Sequence, residues 1–140
     1  MAGKRFEELA AALAARDRAL PKLLSEARPA FDALRQRAVS GVDAFVRSAR
    51  ANGAEHLTHI CVDDVQTDDR YVDCLQFGVT RGAWRIVCVA RIQKGIVTLV
   101  GPFRRGKPER PCSDHPLLGD AAGPALEDLL LELLREASGR

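Results

Sequence analysis

The stretch that decides the fold is residues 71–100, YVDCLQFGVTRGAWRIVCVARIQKGIVTLV. Within it, every second residue from Trp84 to Ile92 is apolar, and Arg85 and Arg91 lie on the other face, which is the period of a half-buried strand. Arg81-Gly82 and Gln93-Lys94-Gly95 flank this segment, and their composition is typical of tight turns. Connections this short require antiparallel pairing between the strands that they join. The sequence therefore predicts an antiparallel β-meander.

Four strands are predicted for the meander. A turn is expected at Gln66-Thr67-Asp68-Asp69, between the first strand and the second. The segment that follows the fourth strand, 101–111, has the sequence GPFRRGKPERP. We expect it to leave the sheet as a solvated loop, because it has two more prolines and a glycine after Pro102. The four predicted strands cover residues 56–65, 71–80, 84–92 and 96–100.

The first third of the chain is predicted to be helical, because it is rich in alanine and its apolar residues follow helical spacing. Pro21 and Pro29 are expected to break or restart the helix. The sequence therefore predicts a helical hairpin or a kinked helix pair. Residues 1–28 would then either pack on the domain or form a helical arm. The apolar residues that share one face of the first segment are Phe6, Leu9, Leu13 and Leu20.

The second helical segment has a more regular apolar stripe. Asn52-Gly53 is expected to end it, because glycine takes the left-handed conformation at no steric cost. A final helix is expected from Pro124 onwards. Six leucines fall within residues 126–134, more than one helix face can hold. We therefore expect this helix to pack on the sheet and also against the N-terminal helices or a second subunit. The stripe of the second segment consists of Phe31, Leu34, Ala38, Val42, Phe45 and Ala49.

This order of elements defines the α+β class: an N-terminal helical hairpin, a four-stranded antiparallel β-meander and a C-terminal helix packed on the sheet. The chain has 140 residues, so we predict one α+β domain over residues 1–140. The first 20 residues lack a secretory signal, and no apolar run approaches the ~18 residues of a membrane span. A cytoplasmic location is expected, with the four cysteines reduced.

Positive charge is concentrated in residues 81–110, which contain eight Lys and Arg residues and one Glu. If these side chains shared the outer face of the sheet with the 101–111 loop, they would form a basic patch for nucleic acid or another anion. Only Trp84 and Phe103 could stack on bases there. The alternative is that Arg85 and Arg91 are ordinary solvent-facing strand residues and that the loop pairs with acidic residues of the block 55–80. The candidate binding residues are Arg81, Arg85, Arg91, Lys94, Arg104, Arg105, Lys107 and Arg110.

Sequence support for catalytic or metal chemistry is weak. Structural zinc sites show close ligand pairs such as C-x2-C, and none occurs. A thiolate–imidazole pair of Cys112 with His115 or His59 would need an activated thiol and an orienting third group. The aspartates between residues 63 and 73 do not match a calcium-binding loop and are explained by a turn and a strand end. The potential metal ligands are His59, Cys61, Asp63, Cys112, Asp114 and His115.

These observations predict a non-catalytic protein-interaction module, either a homo-oligomer or a small subunit of a larger intracellular complex. No cofactor, metal or membrane partner is expected. One alternative is a nucleic-acid- or anion-binding domain that acts through the basic hairpins and the 101–111 loop. Another is an enzyme that uses Cys112 and His115 or the aspartate cluster. The predicted interaction surface consists of Leu126, Leu130, Leu133 and Leu134.

Overall fold

The computed structural model describes residues 2–68 and 71–138. Within these residues it has two α-helices, a six-stranded antiparallel sheet and 3₁₀ turns at Glu55–Leu57 and Ile92–Lys94. The α+β class is confirmed, as is the packing of the C-terminal helix on the sheet. Asp69 of the predicted turn lies outside the described residues. The bounds are α1 Ala2–Ala51, β1 Cys61–Val62, β2 Gln66–Asp68, β3 Tyr71–Arg81, β4 Trp84–Arg91, β5 Ile96–Arg104, β6 Cys112–Pro116 and α2 Ala122–Ser138.

A single helix, α1, runs through the region in which a helical hairpin was predicted. Pro29 lies on its exposed side, whereas Ala27 and Phe31 are 6% and 0% exposed. A proline removes one backbone hydrogen bond from a helix interior, and the burial of its neighbours on both sides favours continuing the helix. The predicted stripe from Phe31 to Ala49 packs on the core. Gly53, with φ 74°, follows the end of α1 as expected.

The sheet has the order β1-β3-β4-β5-β6, and β2 also pairs with β3. Its central meander β3-β4-β5 is confirmed. Phe77 lies opposite Cys88 and Cys88 opposite Leu99, so three buried side chains form one row across the sheet. The predicted first strand is instead divided between a 3₁₀ turn and the short strand β1, and β2 forms where a turn was expected.

The strand β5 extends beyond its predicted end. It continues to Arg104, so the prediction that the loop starts at residue 101 was wrong for residues 101–104. Gly101 and Pro102 together lie opposite one residue of β4, Ile86, which makes a bulge. Gly101 has φ 115°, and a Cβ there would lie 2.9 Å from the carbonyl oxygen of Arg85. Glycine therefore lets the strand bend and continue.

Both α-helices pack on the same face of the sheet. The rings of Phe31 in α1 and Phe77 in β3 are 5.3 Å apart between centroids, and Leu133 of α2 is fully buried in the same cluster. Alternate strand residues, such as Arg85 and Val87, face the other side. Among the described residues, no helix covers that second face.

Candidate functional site: an exposed helical arm and an apolar groove

The N-terminal part of α1 is exposed on all sides. Every residue of 3–19 is exposed, and the first buried side chain described in the helix is that of Ala27. Seventeen helical residues extend about 25 Å at 1.5 Å per residue. We call residues 3–19 the arm.

Three large apolar side chains lie uncovered on one face of the arm. Phe6 is 73% exposed, Leu9 57% and Leu13 42%. Their spacing of three and four residues puts them on one helix face. Single exposed apolar residues are common on proteins, whereas an aligned set is typical of a surface that binds a partner. We call these three residues the arm stripe.

An apolar groove of about 580 Å³ lies between α1 and α2. Its α1 wall has small residues between Arg37 and Phe45, and its α2 wall consists of leucines and Glu127. Leu131 stands at the edge and is 48% exposed. The residues that line this groove are Arg37, Ala38, Ser40, Gly41, Ala44, Phe45, Leu126, Glu127, Leu130, Leu131 and Leu134.

The two helices run parallel along the groove. At one end, Nε of Arg37 lies 2.6 Å from Oε1 of Glu127. In the middle, a Cβ on Gly41 would lie 3.3 Å from Cδ2 of Leu130, so a larger residue would press the helices apart. Residue numbers rise together along both walls. The wall from Arg37 to Phe45 is about 12 Å long by helical geometry.

Arg81 contacts two residues that line the groove, Phe45 and Leu134. Its guanidinium lies 5.9 Å from the ring centroid of Phe45 in α1 and donates to the carbonyl oxygen of Leu134 in α2, at 3.3 Å. The residue is 8% exposed, and desolvation by burial lowers the pKa of its guanidinium. Arg81 thus joins β3 to both helices and does not lie on the outer surface.

The structure buries all four of the leucines predicted as an interaction surface. Leu126, Leu130 and Leu134 line the groove, and Leu133 belongs to the core alone. The exposed leucine of α2 is Leu131. Sequence reasoning did not select the arm stripe as a site, although its helical spacing was visible. The missing signal was that no other part of the chain that the structure describes covers it.

The structure separates the eight basic residues into groups. Arg91 lies six residues along β4 from Arg85, about 20 Å at 3.4 Å per residue, and Lys94 lies beyond it. Arg81 and Arg85 are on opposite faces of the sheet, because Arg81 pairs with Trp84 and successive strand residues alternate. The structure does bring four of them together on one exposed segment: Arg104, Arg105, Lys107 and Arg110.

That segment, residues 104–110, is the basic loop. The guanidinium of Arg110 lies 4.6 Å from the ring centroid of Phe103, and that of Arg104 lies 5.9 Å from the ring of Trp84. Arg105 donates to the carbonyl oxygen of Gly82, at 2.6 Å. Phe103 is 5% exposed, so a base could stack on it only after Arg110 moved. Among described residues, none of the four basic side chains forms an ion pair.

The potential metal ligands do not come together. Strand β1, with Cys61, and strand β6, with Cys112, lie at opposite edges of the sheet, about 19 Å apart at 4.8 Å per strand. No group of three metal-binding side chains occurs in the part of the chain that the structure describes. Oγ of Ser113 lies 2.9 Å from Nε2 of His115, whereas Cys112 faces the other side of the sheet.

Asp63 and Asp64, the first two aspartates of the acidic block, form hydrogen bonds with arginines. Asp63 binds Arg85, and Arg35 donates to the carbonyl oxygen of Asp63, at 2.7 Å, and to the carboxylate of Asp64, at 3.3 Å. These contacts fasten the segment between β1 and β2 to α1 and to the sheet. Asp63 and Asp64 therefore contact arginines of β4 and α1, whereas the sequence alternative paired the acidic block with the 101–111 loop.

No protein family, curated protein or solved structure matches the chain. Over residues 2–68 and 71–138, no helix has the length and apolar character needed to cross a membrane. The arm stripe and the groove are the two apolar surfaces that a partner could contact.

Proposed function

We propose that this chain is a protein-interaction module in which the arm and the groove are the docking surfaces. The observation that carries the proposal is the arm stripe, whose three side chains are 73%, 57% and 42% exposed. Full burial of one such side chain contributes roughly 1.5–3 kcal/mol, so a partner that covers the stripe gains several kcal/mol. Docking of an amphipathic helix into an apolar groove is a recurring mode of recognition.

The proposal includes self-association or a place as a small subunit in a larger complex, and it includes no catalytic step. It also places the protein in the cytoplasm. Support for that location comes from Cys61, Cys88 and Cys112, which form no disulfide with a described residue. Such thiols persist in a reducing compartment.

The test compares the wild type with an arm variant, Phe6→Ser/Leu9→Ser/Leu13→Ser, by size-exclusion chromatography with light scattering. We expect the wild type to have a mass at or above twice 15.3 kDa or to elute with a partner, and the variant to lose this association. The melting temperature of the folded part should not change, because all three residues are exposed. Ala11→Ser/Ala15→Ser, on the opposite side of the same helix, is the matched control. An arm variant that associates like the wild type would contradict the proposal.

Anion or nucleic-acid binding by the basic loop is the second candidate. It is favoured by four exposed cationic residues within seven positions, none of them in an ion pair with a described residue. Fluorescence anisotropy with labelled single- and double-stranded DNA and RNA tests it at low and physiological salt. Binding that falls steeply with salt and is lost in Arg104→Glu/Lys107→Glu would support it. Arg91→Glu/Lys94→Glu makes the same charge change at the other end of the sheet and should bind normally. No binding at low salt would exclude this function.

A further inference from the structure

We infer that the groove receives the arm of a second copy of this chain, and that the two copies exchange arms about a two-fold axis. The inference rests on the proposed function, because it names the partner of the arm stripe. Each copy has one arm and one groove, and both are uncovered. A two-fold pair fills both grooves and covers both stripes without a third chain.

The two surfaces are complementary in side-chain size. The arm stripe presents large side chains, whereas the exposed part of the α1 wall presents Ser40, Gly41 and Ala44. Large side chains of one helix pack beside small residues of another, where the two backbones can approach closely. Ser40, Gly41 and Ala44 are exposed, so a partner helix can reach them.

The two surfaces also match in length and direction. Phe6 and Leu13 are seven residues apart, as are Ala38 and Phe45, which corresponds to about 10 Å of helix in both cases. In an antiparallel arrangement, Phe6 lies beside Phe45 of the second copy and Leu13 beside its Ala38. Both pairs have the same midpoint, between residues 25 and 26. A two-fold axis that passes beside that point therefore places the arm of each copy in the groove of the other.

The arm stripe and the groove wall lie on α1 at positions that such a pair of helices would bring into contact. In a left-handed helix pair, contacts recur every seven residues, with a second series three residues later. Seven-residue steps lead from Phe6 and Leu13 to Gly41, and from Leu9 to Ala44. The line of contact thus passes from the arm stripe to the groove wall of the same helix. Between the arm stripe and the groove wall this line passes Ala27 and Leu34, which face the core of their own chain, so the contacts between copies fall at the two ends.

Charge favours the same register. Arg16 follows Leu13 by three residues, so it reaches the end of the groove at which Glu127 pairs with Arg37. Of the acidic residues of α2, Glu127 lines the groove, whereas the others lie outside its lining. A basic side chain on the incoming arm would therefore meet the carboxylate of Glu127. The acidic residues of α2 are Glu127, Asp128, Glu132 and Glu136.

The experiment uses an arm variant, Leu9→Glu/Leu13→Glu, and a groove variant, Ser40→Lys/Ala44→Lys, each with a different affinity tag. All four residues are exposed, so both variants should fold. We expect the wild type to be a dimer and each variant alone to dimerise at least tenfold more weakly. An equimolar mixture should regain a dimer that contains both tags. That mixed dimer has one native arm–groove contact and one contact that joins glutamates to lysines.

The outcomes separate this inference from the proposed function. A groove variant that dimerises like the wild type, beside a monomeric arm variant, would overturn the groove as the docking site and leave an interaction through the arm. A mixture that stays monomeric would overturn the exchange of arms. A wild type that is monomeric at its solubility limit would exclude a second copy as the occupant. If the variant Leu9→Glu/Leu13→Glu kept every association of the wild type, the proposed function itself would be overturned.

Discussion

Nη2 of Arg85 lies 2.8 Å from Oδ2 of Asp63, and each of the two side chains is only 28% exposed. The same guanidinium donates to Oγ1 of Thr80, at 2.6 Å, and lies so close over Gly78 that a Cβ there would overlap it. Arg85 therefore holds the segment that follows β1 against the outer face of β3 and β4. By sequence alone this arginine was a candidate for binding an external anion.

Loss of the Asp63 carboxylate should weaken the fold. We expect Asp63→Ala to lower the free energy of unfolding by about 1–2 kcal/mol, because it removes a partly buried charged hydrogen bond. Asp64→Ala is the control, since its side chain is 95% exposed and its bond to Arg35 is 3.3 Å long. The control should cost less than about 0.5 kcal/mol. Urea unfolding measures both, and equal effects would contradict a special role for Asp63.

The β3–β4 hairpin should depend on the conformation of Gly82. This residue has φ 61°, and a Cβ would meet no heavy atom within 4 Å. A substitution there thus tests backbone strain without a clash. We expect Gly82→Val to lower the free energy of unfolding by about 1–2 kcal/mol, and Gly82→Asn, which tolerates positive φ, to cost less. Thermal unfolding measures the stability of both variants. An asparagine variant as unstable as the valine variant would count against backbone strain as the explanation.

The C-terminal helix should contribute to stability through its buried leucines. Leu133 is 0% exposed and belongs to the core, so Leu133→Ala should cost about 2–4 kcal/mol in the free energy of unfolding. Leu118 is 61% exposed and lies outside the groove. For it the same substitution should change stability by less than about 0.5 kcal/mol. Similar losses for the two variants in chemical denaturation would mean that α2 does not pack as described.

Cys88 should resist alkylation in the folded protein. Desolvation by burial raises the pKa of its thiol to about 12, whereas Cys61 and Cys112 are exposed. Iodoacetamide followed by mass spectrometry should therefore label Cys61 and Cys112 but label Cys88 only after unfolding. Labelling of Cys88 at the same rate in the native state would disprove its burial.

The same raised pKa has a consequence for stability. The folded state keeps the Cys88 proton at pH values at which the unfolded chain loses it. The contribution of this thiol to stability is therefore complete below its ordinary pKa near 9 and is lost as the pH rises towards 12. We expect the melting temperature of the wild type to fall more steeply between pH 9 and pH 11 than that of Cys88→Ala. Parallel curves would contradict this linkage.

Local sequence patterns predicted the parts of the fold that depend on neighbouring residues. The two-residue spacing of the apolar face from Trp84 to Ile92 predicted β4 within one residue, and the stripe from Phe31 to Ala49 predicted the packed half of α1. Side-chain alternation and helical spacing are properties of short segments, so they can be recognised without knowledge of the rest of the chain. For the same reason, the helical face of Phe6, Leu9 and Leu13 could be recognised.

Elements that depend on distant residues could not be predicted in this way. Strand β6 is largely exposed and has no alternating pattern, and it forms because its backbone pairs with β5. Pro29 should end a helix by local sterics, but burial of Ala27 and Phe31 on the core favours a continuous α1. In both cases the stabilising contacts come from parts of the chain that are remote in sequence.

The sequence by itself determined the composition of the candidate site: which residues are apolar on the arm, which are small in the middle of α1, and where the basic residues fall. Only the tertiary structure decided which of them remain available. In the folded chain Arg85 pairs with Asp63, and Arg81 is buried between β3 and the helices. Phe6 and the groove at Gly41 remain uncovered. The physical reason is that exposure and pairing depend on the packing of distant segments, whereas residue type and spacing do not.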